Sequence, residues 1–204
     1  MKVLVIGASG ATGTLLLPKL LEQRHAVTAF ARNPKSVPER EGLRVEQGDA
    51  TDAASLERAV QGQDAVVSVF GPRGLGKSDV QETLARNLIA AMQKHGVKRL
   101  VNLSAWGAAG TQPSGLLFKI IRGTLLKNVF ADKERGETLF ATSGLDVTHV
   151  CPGRLLNSPA RGGVKVSPDG AGLESIMTRA DLAEFMVGQL STDAWVRRSV
   201  VIGY

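Results

Sequence analysis

Tyrosine is nearly missing from this chain: the one tyrosine, Tyr204, is the last of 204 residues. A carbonyl reductase that uses a tyrosine as its acid needs a lysine one helical turn later, so that the cation lowers the phenol's pKa. Lys133 lies in a stretch of helical character, but the position four before it is Val129. Tyrosine-dependent reduction is therefore disfavoured, as are tyrosine-dependent sugar epimerases and dehydratases. The one cysteine, Cys151, can form no intrachain disulfide, which fits a reducing compartment. His25, His95 and His149 show no metal-ligand spacing, so no metal site is expected. Aromatic residues are 4% of the chain, too few for a base-stacking platform, so no nucleic acid is expected despite a net charge of +6. No apolar run approaches the roughly 18 residues of a membrane span. The opening Met1–Gly7 is too short an apolar stretch for a signal peptide, and a cytoplasmic protein is the expectation. Linkers, repeats and low-complexity tracts are also absent, which implies one domain over residues 1–204.

What is present is an alternation of short β-branched runs with longer segments of helical period. Strands are expected at Lys2–Ile6, Ala26–Ala31, Leu43–Gln47, Ala65–Phe70, Lys98–Leu103, Asp146–Cys151 and Ser199–Ile202, with a short one around Val164 and Val166. Helices are expected over Thr14–Arg24, with Pro18 in its first turns, and from a Thr51-Asp52 cap to Val60. A capping box of Ser78 with Gln81 opens another, to about His95, and Thr178 with Asp181 opens one to about Leu190. Residues 115–143 read as helical with a break near Gly123. The pattern is that of an α/β, Rossmann-like, doubly wound and mostly parallel sheet.

Gly7-Ala8-Ser9-Gly10-Ala11-Thr12-Gly13 lies between the first strand and the first helix. Gly7 suits a tight turn, Gly10 lets backbone approach a pyrophosphate, and Gly13 lets the helix pack closely. The helix terminus and its exposed amides then favour the phosphates of a dinucleotide. The G-x-x-G-x-x-G spacing is that of short-chain and extended dehydrogenases. At the end of the second strand, where an acid would hold the ribose of NAD, stands Arg32, with Lys35 three residues on. A guanidinium fork there matches a 2′-phosphate, so NADP(H) is the expected cofactor. Asp49, followed by Ala50, is positioned to accept from adenine or to cap the next helix. Phe70, Gly71 and Arg73 follow the fourth strand along the expected cofactor path, and Pro152 and Gly153 follow the sixth.

These segments, together with Gly62–Val66, Ala85-Arg86-Asn87, Ala90-Ala91-Met92, His95-Gly96-Val97, Ser104-Ala105 and Ser143-Gly144-Leu145, resemble the biliverdin-IXβ reductase/flavin reductase family of atypical short-chain dehydrogenase-like proteins. The likeness spans nearly the whole chain. It implies a monomer and NADPH-dependent reduction of flavins, with linear tetrapyrroles as further acceptors. It also places Thr12, Arg32 and Lys35 near the 2′-phosphate, Asp49 and Ala50 near adenine, Gly71 and Arg73 along the cofactor, and Ser104 beside the nicotinamide. The segment Trp106–Gly110 departs from the mammalian form, as does Arg154, where that form has histidine.

Hydride transfer to a conjugated acceptor asks little of a protein acid, because the acceptor spreads the charge and solvent can supply the proton. FMN, FAD or a quinone is then a substrate rather than a bound group. Ser104 is the candidate catalytic residue, and Lys133 and Arg154, with Arg73, are candidates for attracting an anionic acceptor. Cys151 reads as a small buried residue and His149 as structural. Ser114–Lys127 reads as a core-facing helix with a basic edge, or alternatively as an apolar lid or a membrane-surface contact. A non-catalytic NADP(H)-binding sensor and, more remotely, an isomerase or dehydratase on a nucleotide-linked substrate remain as alternatives.

Overall fold

The computed structural model describes residues 1–71, 74–108, 110, 111 and 116–204, with the side chains of residues 116–119 set aside. The chain runs through β1 (Lys2–Ile6), α1 (Gly13–Glu22), β2 (Ala26–Ala31), β3 (Leu43–Gln47), α2 (Ala53–Val60) and β4 (Ala65–Ser68). It continues through α3 (Val80–Lys94), β5 (Arg99–Leu103), α4 (Leu116–Gly123), α5 (Lys127–Thr142) and β6 (Asp146–Pro152). The remainder is β7 (Arg154–Leu156), β8 (Lys165–Ser167), β9 (Ile176–Thr178), α6 (Arg179–Gly188) and β10 (Arg198–Gly203).

Eight strands form one sheet in the order β3-β2-β1-β4-β5-β6-β10-β8, parallel except for β8, which runs antiparallel to β10. The expected Rossmann-like doubly wound sheet is thus the observed fold. Strand order reverses between β1 and β4, and the crossovers there leave in opposite directions, opening a crevice at the strands' carboxyl ends. β1 is apolar on every inward position because both its faces are covered. Val3 and Val5 meet Leu16, Leu17 and Leu20 of α1 and Met186 and Val187 of α6. Leu4 and Ile6 meet Leu56 of α2, Leu84 and Leu88 of α3 and Phe140 of α5.

Several local expectations need correction. Ser78 and Gln81 form no capping box: Ser78 Oγ accepts only from Val80 N (3.2 Å), while Gln81 Nε2 donates to Phe70 O (3.0 Å). The start of α3 is capped instead by Asp132 of α5, whose buried carboxylate accepts from the backbone amides of Gln81 and Glu82 at 3.2 Å each. Gly136 permits this approach, since a Cβ there would lie 2.9 Å from Gln81 O. Pro18, the sixth residue of α1, falls in its second turn, within the first turns as expected but past the positions whose amides have no acceptor inside the helix. β4 ends at Ser68, two residues early, because Val69 and Phe70 turn out along the crevice. The small parallel pair β7–β9 is additional to the expected strands. Ile120 (53% exposed), Ile121 and Leu125 (62%) face solvent, so this part of α4 and its exit is not core-facing. Gly115 and the side chains of residues 116–119 lie outside the described residues.

Tyr204 and Asp181 close the far end of the sheet. Asp181 accepts from Tyr204 Oη, from Thr178 Oγ1 (2.7 Å) and from the amides of Arg161 (2.8 Å) and Gly162 (3.1 Å). Thr178 also caps α6, as its spacing with Asp181 predicts. Burial works to raise the Asp181 pKa, but these hydrogen bonds outweigh it and hold the carboxyl down to about 2. A carboxyl lowered on folding stabilises the native state above its unfolded pKa and stops doing so as pH falls through the folded value. Stability is therefore expected to drop between about pH 4 and pH 2, by about 2 kcal/mol from this group. Urea midpoints measured across that range should fall for the wild type, and the fall should be shallower for Asp181→Asn. An unchanged slope in the variant would assign the acid limb to other carboxylates.

Candidate functional site

β1 ends at Ile6 and the chain turns sharply through Gly7, whose φ of +85° favours glycine and where a Cβ would stand 2.9 Å from Val69 C and O. The turn is held by Gly10 N donating to Gly7 O (3.0 Å) and Thr14 N donating to Gly10 O (2.9 Å). At Gly13 a Cβ would lie 2.2 Å from Gly7 O and 2.7 Å from Ala8 Cα, so the first turn of α1 rests directly on the loop backbone. The amides of Ala11, Thr12 and Gly13 donate to nothing among the described residues. Three unpaired donors at a helix N-terminus form a cradle for an anion.

The loop opens on a cleft of about 460 Å³ lined by Gly7, Ser9, Gly10, Arg32, Asp49, Ala50, Phe70 and Gly71, all anticipated from the sequence, and also by Asn33, Ser36 and Gly48. Arg32 is exposed on one wall, and its side chain hydrogen-bonds nothing among the described residues. Asn33 Oδ1 caps the turn Pro34–Ser36 by accepting from Lys35 N (3.1 Å), and Ser36 Oγ donates to Asn33 O (2.6 Å). That turn fixes the segment carrying Arg32. The sequence signal for it was Asn33-Pro34, a turn-initiating pair. Lys35 is exposed on the same turn but does not line the cleft.

Asp49 does not cap α2; Asp52 does, accepting from Ala54 N and Ser55 N. Asp49 Oδ1 accepts from Thr51 N (2.9 Å) and Thr51 Oγ1 (2.8 Å). The Thr51 amide is the main reason its carboxyl is held below the ordinary range, with the Arg32 charge a lesser one. Arg73 lies outside the described residues. Pro152 and Gly153 form the bend between β6 and β7, where a Cβ on Gly153 would meet Ser175 O at 2.2 Å; they do not line this cleft. Arg154, exposed on β7, does not line it either.

Beyond the end of β5 lies a buried polar group that the sequence only half reveals. Ser104 N donates to Val150 O (2.7 Å), and Ser104 Oγ donates to Glu137 of α5. Lys133, one turn before Glu137, is not a surface cation. Its Nζ donates to Leu103 O (3.1 Å), and burial holds its pKa down against the nearby Glu137 charge. Glu137 was missed, although its i, i+4 spacing from Lys133 was visible. Burial and the Glu137 charge push the Cys151 thiol up to about 12, which leaves it protonated and unreactive. His149 is held down to about 4 by burial and by Lys133, so its ring is neutral at physiological pH. Among the described residues no cluster of His, Cys, Asp and Glu could hold a metal ion, and no helix is long and apolar enough to cross a membrane.

The model of the NAD(P)H-binding family matches residues 7–193. The chain belongs to the NAD(P)H-binding family. This NAD(P)H-binding protein is 31% identical over 170 residues to sterol demethylase protein B of Methylococcus capsulatus, covering 76% of this chain and 52% of that one. It thus spans about half the length of that relative. It is also 31% identical to an uncharacterized chloroplast protein of Arabidopsis thaliana, over 93% of this chain and 71% of the other. Among solved structures it superposes on an anaerobillin reductase of Escherichia coli O157:H7 with a TM-score of 0.84 at 22% identity, covering 100% of this chain and 97% of that one. A short-chain dehydrogenase/reductase of Veillonella parvula in complex with NADP superposes with a TM-score of 0.83 at 21% identity, covering 100% and 94%. At these identities the structural likeness establishes the fold.

Proposed function

We propose that this protein is an NADPH-dependent reductase that delivers hydride to a flavin or a similarly conjugated acceptor. The observation that carries the cofactor preference is the Arg32 guanidinium, which hydrogen-bonds nothing among the described residues, on the wall of a cleft whose floor is the glycine loop. The amides of Ala11, Thr12 and Gly13, which donate to nothing among the described residues, receive the diphosphate, and the Gly10 position, which carries no Cβ, leaves room for it. Arg32 forks onto the 2′-phosphate, with Lys35 adding charge from the same turn. Asp49, with its Oδ2 uncommitted among the described residues, accepts from the adenine amino group.

Reduced nicotinamide supplies the hydride when bound. Ser104 follows β5 and does not line the glycine-loop cleft; the resemblance to the flavin reductases supports a role for it beside the nicotinamide, where its hydroxyl oxygen would orient the carboxamide or the acceptor. With Val129 one turn before Lys133, no phenol stands ready to protonate a carbonyl. An acceptor that delocalises charge and takes its proton from solvent suits such a site.

Purified protein with NADPH and FMN tests this at 340 nm. NADPH should be consumed on addition of FMN, and NADH distinctly more slowly. Tight NADPH binding with no turnover of flavin, quinone or tetrapyrrole would point instead to a sensor, and NADH turnover equal to NADPH turnover would remove the role given to Arg32.

A further inference from the structure

Ser104 extends the ladder of β5 by one residue, because its amide donates to Val150 O of β6 (2.7 Å). Strand alternation then puts its side chain on the face of Leu100 and Asn102. α5 covers that face. Leu100 and Phe140 share one core cluster, and Asn102 meets His149, whose ring centroid stands 6.0 Å from that of Phe140. Glu137 precedes Phe140 by three residues, on the same side of the helix. Ser104 and Glu137 are each 5% exposed, and Ser104 Oγ donates to Glu137 Oε1.

The direction of that hydrogen bond follows from charge. Lys133 lies one turn before Glu137, with its Nζ donating to Leu103 O (3.1 Å). Burial lowers the lysine's pKa and the Glu137 charge works against that; the same attraction favours the glutamate as carboxylate. A carboxylate only accepts, so the shared hydrogen is the serine's, and Ser104 keeps lone pairs alone for a ligand. Two neighbours are equally committed. The Cys151 thiol, flanked by the Ser104 and Thr111 hydroxyls, donates to His149 O (3.7 Å), and Thr111 Oγ1 donates to Ala108 O (2.6 Å). None of these three groups has a hydrogen left for a ligand.

We propose that Glu137 is a positioning residue: by taking the Ser104 hydroxyl hydrogen it makes Ser104 Oγ an acceptor only, so that the ligand group selected there is an N–H donor, the carboxamide NH2 of the coenzyme. Ser104 is then not an acid, in keeping with an acceptor that takes its proton from solvent. This assignment rests on the reading that sets the nicotinamide beside Ser104. β5 is two strands from β1, roughly 10 Å at ordinary strand spacing, so its carboxyl end adjoins the crevice in which the glycine loop lies.

Two coenzymes that differ in one group test it: NADP+, with its carboxamide, and the 3-acetylpyridine analogue, in which a methyl replaces the NH2 and the carbonyl stays. Binding is read by calorimetry. The wild type should bind NADP+ about tenfold more tightly than the analogue, the worth of one hydrogen bond. Ser104→Ala should bring the two affinities to within about twofold of each other. Glu137→Met should do the same, because the released hydroxyl hydrogen turns to the carbonyl that both coenzymes carry. In Ser104→Ala the further change Glu137→Met should leave the ratio where it is. A glutamate that only braced the fold would weaken both coenzymes alike and preserve the tenfold ratio. Should Glu137→Met not fold because Lys133 has lost its charge partner, Lys133→Met with Glu137→Met carries the same test, since replacing both members of a buried pair is commonly tolerated where removing one is not.

A ratio lost in Ser104→Ala but kept in Glu137→Met overturns the proposal and leaves the nicotinamide beside Ser104. A ratio kept in Ser104→Ala, or absent from the wild type, overturns that placement and the proposal with it. A wild type that binds neither coenzyme removes the cofactor reading itself.

Discussion

Replacing Arg32 by alanine is expected to weaken NADPH binding by about ten- to a hundredfold and NADH binding less than about threefold, because a charge-assisted hydrogen bond is worth about 1.5–3 kcal/mol. The geometry favours so selective an effect. The Arg32 side chain has no internal partner to lose among the described residues, so its removal should leave the fold untouched. The turn that carries it is braced by Asn33 and Ser36 through bonds that do not involve the guanidinium. Calorimetric titration of both coenzymes into wild type and variant reads the difference directly. A loss of equal size for both would place the 2′-phosphate elsewhere. Raising the salt concentration should erode the NADPH preference and leave NADH affinity nearly constant, since an exposed charge pair is screened.

The two inner glycines of the loop should fail in different ways when a methyl is added. In Gly13→Ala the new carbon meets backbone atoms of Gly7 and Ala8 at 2.2–2.7 Å, and neither can step aside as a side-chain tip would. Overpacking of this kind costs about 1–3 kcal/mol or more, which for a chain of this size lowers Tm by roughly 3–10 °C. Coenzyme binding should fall with it, because the cradle amides move. In Gly10→Ala the nearest atom is Gly7 O at 3.2 Å, and the backbone needs no positive φ. Tm should then stay within about 2 °C while coenzyme affinity drops, because the methyl takes space facing the cleft. Differential scanning calorimetry beside a binding titration separates the two cases. Wild-type affinity in Gly10→Ala would mean that the diphosphate does not approach this residue.

Much of the architecture could be read from local pattern. β1 begins and ends where its apolar run does, because a strand covered on both faces has little room for a polar residue inside it, and the bounds of β2 and of the exposed edge strand β3 also match their β-branched stretches. Asp52 was legible as a cap because a cap is settled by residues two or three positions away. The misreading at Ser78 has the opposite origin. Its role is taken by Asp132, more than fifty residues further along, and only the packing of α5 on α3 brings that carboxylate to the amides. The cleft divides in the same way. The glycine loop and Arg32 are contiguous signals, whereas the bond of Ser104 to Glu137 and the pairing of His149 with Asn102 join elements distant in sequence. β7 and β9 were invisible because Arg154–Leu156 and Ile176–Thr178 are too short to show an alternation, unlike the segment around β8, where Val164 and Val166 flank Lys165.

The place of β10 between β6 and β8 constrains the order in which the molecule assembles. β8 is made before β10 in chain order, so the flank of β6 is open to it first, and a premature pairing there would shut out the strand that belongs in between. With only three residues, two of them solvent-facing, β8 is a feeble competitor. Its weakness keeps that vacancy available until the longer, fully apolar core of β10 arrives to fill it.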